Sequence, residues 1–129
     1  MVTQTQQVPD NWPGSLPEYI AFQTFVELGL EPGQDFTYQS PLMGGRLDKG
    51  GLVIDFLFPD RSLAVNVQGV YYHYEFGVES KARDTMARAS LAGDGITLIF
   101  IDDDDLLKDA KYYCREALNY RDHSRMGGG

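Results

Sequence analysis

Two short runs of strand-forming residues, Leu52-Val53-Ile54-Asp55-Phe56-Leu57-Phe58 and Leu63-Ala64-Val65-Asn66-Val67-Gln68, are separated only by Pro59-Asp60-Arg61-Ser62. The first run is dense in β-branched and aromatic residues, Gly50-Gly51 and Pro59-Asp60 bound it, and the separator has turn chemistry. Together they predict an antiparallel hairpin. Strand alternation then puts Leu63, Val65 and Val67 on one face and Ala64, Asn66 and Gln68 on the other, so two amides share a side. On the first run Asp55 stands among Val53, Ile54, Phe56, Leu57 and Phe58. A carboxylate in that company is costly to bury unless it meets a cation or several donors.

The rest of the chain organises around this hairpin. Ser15-Leu16-Pro17-Glu18 has the form of a capping box, with Pro near the first helical position, and Ile20, Phe22, Phe25, Val26 and Leu28 follow at helical spacing until Gly29 and Pro32-Gly33. Phe36 to Ser40 reads as a strand that completes a three-stranded meander. Val78 to Ala92 reads as a helix broken by Gly93-Asp94-Gly95. Ile96 to Ile101 is apolar throughout, the pattern of an interior strand covered on both faces, and one last helix carries Leu106, Ala110, Tyr113 and Ala117 on one side. The order is αβββαβα. A polar arm (1–14), expected to be flexible or bound to a partner, precedes a single domain (15–122), and a flexible tail (123–129) ending in Met126-Gly127-Gly128-Gly129 is expected after it.

A chain of 129 residues with 43% hydrophobic content fits one domain with a real core. No apolar run approaches the ~20 residues that span a bilayer, and the N-terminus lacks the basic start and apolar stretch of a signal peptide. The expectation is a protein of the cytoplasm, a phage-encoded one included, with no membrane partner. Cys114, the single cysteine, excludes an internal disulfide and a multi-cysteine zinc site, and reads as a buried thiol. The net charge of −8 argues against a protein that coats nucleic acid. The excess acid is local, however, concentrated in Asp102-Asp103-Asp104-Asp105, whereas Arg46, Lys49, Lys81, Arg83 and Arg88 lie near the hairpin or the helix after it.

Gly44-Gly45-Arg46, Gly50-Gly51-Leu52-Val53-Ile54-Asp55-Phe56, Ala64-Val65-Asn66-Val67-Gln68-Gly69 and His73, with Arg83-Asp84, Arg88, Leu91, Gly95 and Ile96 to Ile101 after them, resemble the PD-(D/E)XK nuclease superfamily. Within it the chain is similar to very-short-patch-repair-like endonucleases, over about residues 16 to 110 as an ordering of elements. The resemblance makes the single domain (15–122) nuclease-like and implies a restriction-endonuclease-like αβββαβ core, a central mixed sheet flanked by helices, with an extra C-terminal helix. It implies that Asp55 binds magnesium or manganese and that Glu18 helps to organise metal-bound water. Asn66 and Gln68 stand where the superfamily has its second acid and its lysine. The repair-type branch dispenses with both and uses a backbone carbonyl at the position of Val67 and a histidine matched by His73, with Asp84 matching an acid near it. The metal side is therefore Asp55, the Val67 carbonyl and Asn66, and the catalytic side is Asp55, His73, Glu18, Gln68 and Asp84.

These types suit phosphodiester hydrolysis, which needs a cation on the phosphoryl group, a base for water and oriented donors. His73 has the ordinary pKa of a base near neutrality, Asp84 can fix its tautomer, and Gln68 can hold a phosphate oxygen or a water by hydrogen bonds alone. Each residue also has a structural reading. Asp55 can cap a turn or pair with Arg46 or Arg83, and Glu18 is the N3 acid of a capping box. His73 can be a packed or edge histidine among Tyr71, Tyr72 and Tyr74, and Asp84 can pair with Lys81 or Arg88. Asp102 to Asp105 suit a helix start, where acids complement the dipole and cap free amides. The Gly44-Gly45 and Gly50-Gly51 pairs lack the spacing of a phosphate-binding loop.

The leading expectation is a magnesium-dependent DNA endonuclease of the patch-repair or resolvase-like type. A small acidic domain of this kind needs a dimer or a larger assembly to grip a duplex. The alternative is a catalytically inactive nuclease fold serving as a binding or structural component of a phage or DNA-processing assembly. A third reading is an α/β domain that binds a small ligand or a protein through its tyrosines.

Overall fold

The structure, a computed structural model, describes residues 8–40, 54–69 and 78–125. The expected helix forms first in the chain: α1 (Leu16–Glu27) starts at Ser15, whose hydroxyl accepts the Glu18 N–H while the Glu18 carboxylate accepts the Ser15 N–H. This reciprocal cap is worth about 1 kcal/mol. At the other end Gly29, with φ +98°, lets its N–H reach the Val26 carbonyl and the Leu30 N–H reach that of Phe25. These are the paired bonds of a Schellman ending.

Four strands follow the expected order: β1 (Thr37–Ser40), β2 (Ile54–Phe58), β3 (Leu63–Gln68) and β4 (Thr97–Asp102). They make an open mixed sheet, β1-β2-β3-β4, antiparallel through the first three and parallel between β3 and β4. Pro59–Arg61 forms a turn of 3-10 helix, and Ser62 adopts a left-handed backbone before β3 starts. Between β3 and β4 lies α2 (Val78–Gly93), which ends as α1 does, with Gly95 at φ +82° and the Ile96 N–H on the Leu91 carbonyl.

The sheet carries a core on each face. On one, Ala21 and Phe25 of α1 meet Phe56, Phe58, Leu63, Val65, Ile99 and Ile101. On the other, Ala87 and Leu91 of α2 meet Ile54, Ala64, Leu98 and Phe100. Phe25 sits edge-on to Phe58 and Phe56, with ring centroids 4.9 and 5.3 Å away. The alternation expected for β3 holds, with Leu63 and Val65 on the α1 side and Ala64 on the α2 side. The strict alternation of β2 breaks at Asp55, because Ile54 packs with the α2 cluster whereas Phe56 packs with the other.

Two expectations are corrected. The apolar run Ile96 to Ile101 predicts an interior strand; among the described residues β4 is covered on both faces but stands at one end of the sheet order. Its apolar pattern comes from helices on both sides rather than strands at both edges. The single C-terminal helix is two, α3 (Asp103–Lys108) and α4 (Ala110–Leu118). Asp109, at φ −154° and ψ 77°, interrupts them, and its carboxylate accepts the Tyr112 N–H to cap α4. A side chain that competes for backbone donors favours such a start over an uninterrupted helix. The order among the described residues is therefore αβββαβαα, a mixed α/β fold with four α-helices.

The N-terminal segment read as an arm is described from residue 8. Within it Trp12 stacks on Tyr38 at 4.6 Å and meets the edges of Tyr19 and Phe22. Beyond α4, Ser124 is buried and Arg125 is held by two acids. Among the described residues no helix is long and apolar enough to cross a membrane.

Candidate functional site

The β2–β3 ladder runs in register from Phe58↔Leu63 to Phe56↔Val65. Beyond that point side chains take over. The Asp55 N–H donates to the Asn66 side-chain oxygen at 2.8 Å, and the Val67 N–H donates to Asp55 Oδ2 at 2.9 Å. Each residue thus lends the other strand an acceptor where a ladder carbonyl would stand. In an antiparallel pair the N–H and C=O of one residue face the same neighbour, so the Val67 carbonyl faces the gap that holds the Asp55 carboxylate. This end of the hairpin brings together Asp55, Asn66 and Val67, the three residues expected on the metal side.

Gln68 ends β3 and is buried at 7% exposure, on the face that alternation assigns to Ala64 and Asn66. Its partner in the parallel register is Asp102, the last residue of β4, only 1% exposed. Glu18 lies elsewhere. Besides capping α1, its carboxylate accepts the Tyr38 hydroxyl, and α1 covers the face opposite to Asn66 and Gln68. The structure does not bring Glu18 together with those amides. A methyl group on Gly14 would stand 1.9 Å from the Tyr38 hydroxyl and 2.2 Å from Glu18 Oε1, so the Glu18–Tyr38 contact requires glycine there. Asp84 falls on α2, but its side chain lies outside the described residues. His73, Arg46, Lys49 and the two glycine pairs also lie outside them. Arg88 has its own place: its guanidinium sits 4.8 Å over the Phe100 ring and donates to Asp122 at 2.9 Å.

Sequence reasoning missed the surroundings of Asp102. The sequence assigns the acids at the start of α3 to capping and to the helix dipole, and Asp104 does accept the Asp105 N–H at 2.8 Å. Asp102 occupies the N-cap position without a side-chain capping bond. Its carboxylate instead accepts the Arg125 backbone N–H at 3.0 Å and its guanidinium at 2.8 Å. Asp104 takes the other arm of the same guanidinium at 3.0 Å. One oxygen from each of Asp102, Asp104 and Asp105 lies within 4.8 Å of the others, and Arg125 is the cation that answers them. The hydrogen bond from Arg125 holds the Asp104 carboxyl below its ordinary pKa. Asp105 is raised by burial and by its acidic neighbours. Alternation along Leu98, Phe100 and Asp102 was the available signal for placing Asp102 beside Gln68. Nothing local pointed to Arg125, 23 residues away.

The chain matches no protein-family model, no curated protein and no solved structure.

Proposed function

We propose that the end of the β2–β3 hairpin is the centre of a magnesium- or manganese-dependent DNA endonuclease built on a restriction-endonuclease-like core. The observation that supports this is the Asp55 carboxylate seated against Val67 in the gap where the ladder passes from backbone to side-chain bonds. The donors there are a carboxylate, a backbone carbonyl and an amide oxygen, and a hard dication takes oxygen donors of these types. In this reading Asp55 and the Val67 carbonyl hold the ion, and Asn66, braced by the Asp55 N–H, positions the strands. A bound ion there neutralises charge on the phosphoryl group and lowers the pKa of water. Gln68 orients a phosphate oxygen or a water, and His73 takes the proton.

A second reading, a nuclease-like scaffold that binds without cleaving, is favoured by the same cross-bonding. Asp55 and Asn66 perform a structural task for which neither metal nor substrate is needed. One experiment separates the two. The purified protein is titrated calorimetrically with magnesium and with manganese, then incubated with nicked, mismatched and branched DNA. Metal-dependent cleavage that is lost in Asp55→Asn supports the hydrolase. Absence of cleavage, or cleavage unchanged in Asp55→Asn, ends that reading, and DNA binding without cleavage favours the scaffold.

A further inference from the structure

Residues 119–125 leave α4 and reach the outer edge of β4. None of them belongs to either apolar cluster, and of their side chains only that of Ser124 is buried. They are held by polar contacts and by the His123 ring, which meets the rings of Tyr112 and Tyr113 with centroids 5.8 and 5.7 Å away. Tyr120, at their root, has a left-handed backbone with φ +64°, a conformation that is strained for a residue other than glycine. Its hydroxyl donates to the Arg61 carbonyl at 2.6 Å. Arg121 and His123 both meet the Glu116 carboxylate at 2.8 Å, Asp122 pairs with Arg88, and Arg125 pairs with Asp102 and Asp104.

The contact with β4 is specific. The Thr97 N–H turns toward β3, where it meets the Ser62 carbonyl, so alternation turns the Phe100 N–H outward. That N–H donates to Asp122 Oδ2 at 2.9 Å. A side-chain carboxylate here does what the carbonyl of a fifth strand does elsewhere, and covers an edge that invites pairing. Ile99 and Ile101, on either side, turn their N–H groups inward to β3 and pack their side chains in the larger cluster.

We infer that residues 119–125 are a releasable strap, which opens as a unit while the sheet and helices stay folded, baring the Phe100 amide and the Asp102 carboxylate. The cause is the kind of contact on each side of Phe100. A segment that adds no side chain to either apolar cluster, and is held instead by part-buried polar contacts, opens at less cost than strands anchored by apolar burial, and such segments lie at the low end of local stability. Burial of apolar side chains holds Ile99 and Ile101 to the global unfolding limit. The release governs access to Asp102 beside Gln68, and stands whether or not the hairpin hydrolyses DNA.

Amide hydrogen exchange on the full chain, read by NMR, tests this. In the unmodified protein the Phe100 amide is expected to exchange at least about tenfold faster than those of Ile99 and Ile101. Arg125→Ala is expected to speed Phe100 about tenfold further and to leave the two isoleucines unchanged. Equal exchange of all three amides in the unmodified protein, or equal acceleration in Arg125→Ala, overturns the inference. Limited trypsin digestion of the unmodified protein gives a reading that needs no variant. Cleavage after Arg121 ahead of Arg88 and Arg115 supports the strap, and simultaneous loss of all three sites opposes it.

Discussion

Asp55 and Asn66 face each other across β2 and β3 and exchange roles with the backbone: the amide oxygen of one takes the N–H of the other, whose carboxylate takes the N–H of Val67. This divides the effects of substitution. Asp55→Asn keeps an oxygen for Val67 and is expected to lower stability by less than about 1 kcal/mol, while Asp55→Ala leaves that N–H without this acceptor and is expected to cost about 1–3 kcal/mol. Urea unfolding of the two variants measures the difference. A large loss in Asp55→Asn would show that charge, rather than hydrogen bonding, holds the strands.

Gly14 has no room for a side chain. Gly14→Ala is expected to push Tyr38 and Glu18 apart, to unseat Trp12 from its stack on Tyr38, and to lower stability by about 1–2 kcal/mol through one charge-assisted hydrogen bond. Trp12 is the only tryptophan, so its fluorescence reports the change directly. An unaltered emission spectrum in Gly14→Ala would contradict the expectation.

Acid is expected to loosen the contacts around the strap. His123 and Arg121 hold the Glu116 carboxyl below its ordinary pKa of 4.5, and Arg125 holds Asp104 below its ordinary 3.8. Groups depressed on folding stabilise the fold fully above their unfolded values, and that contribution is lost as pH falls through the folded ones. Asp105, raised on folding, works the other way and relieves a strain as it gains its proton. Thermal melts and exchange at the strap amides, compared between neutral pH and pH values below the ordinary carboxylate range, are expected to show the strap weakening first.

Burial pushes the Cys114 thiol up to about 12, so almost no thiolate exists at mildly alkaline pH. A disulfide reagent added to the native protein is expected to react only as fast as the fold opens, and at once in denaturant. Rapid native labelling would place the thiol at the surface.

Phe25 touches the rings of Phe36, Phe56 and Phe58 at full burial. Phe25→Ala is expected to cost about 3–5 kcal/mol, the range for a large aromatic removed from a close-packed site. Equilibrium denaturation checks the figure.

Local chemistry made much of this fold legible beforehand. The Ser15–Glu18 cap, the turn at Pro59 to Ser62 and the faces of β3 depend on residues within a few positions of each other, and each stands where the pattern put it. The break at Asp109 was missed because the apolar spacing of Leu106, Ala110 and Tyr113 runs through it, while one carboxylate decides the backbone there. The position of β4 at the end of the sheet was missed because covered faces leave the same pattern on edge and interior strands. Within the site, alternation grouped Asn66 and Gln68, but the bracing of Asp55 by Asn66 and the answer of Arg125 to Asp102 depend on register and on chain return. Distance along the chain hides both.

The break at Asp109 also sets the rotational phase of the last helix. Cys114, Ala117 and Leu118 reach the core because a single residue, Asp109, separates the end of α3 from the start of α4. One residue added at this joint would turn α4 by about 100° and swing those three side chains toward water. The joint therefore tolerates a change of residue far better than a change of length, and the chain's reading frame through Asp109 is itself part of the packing.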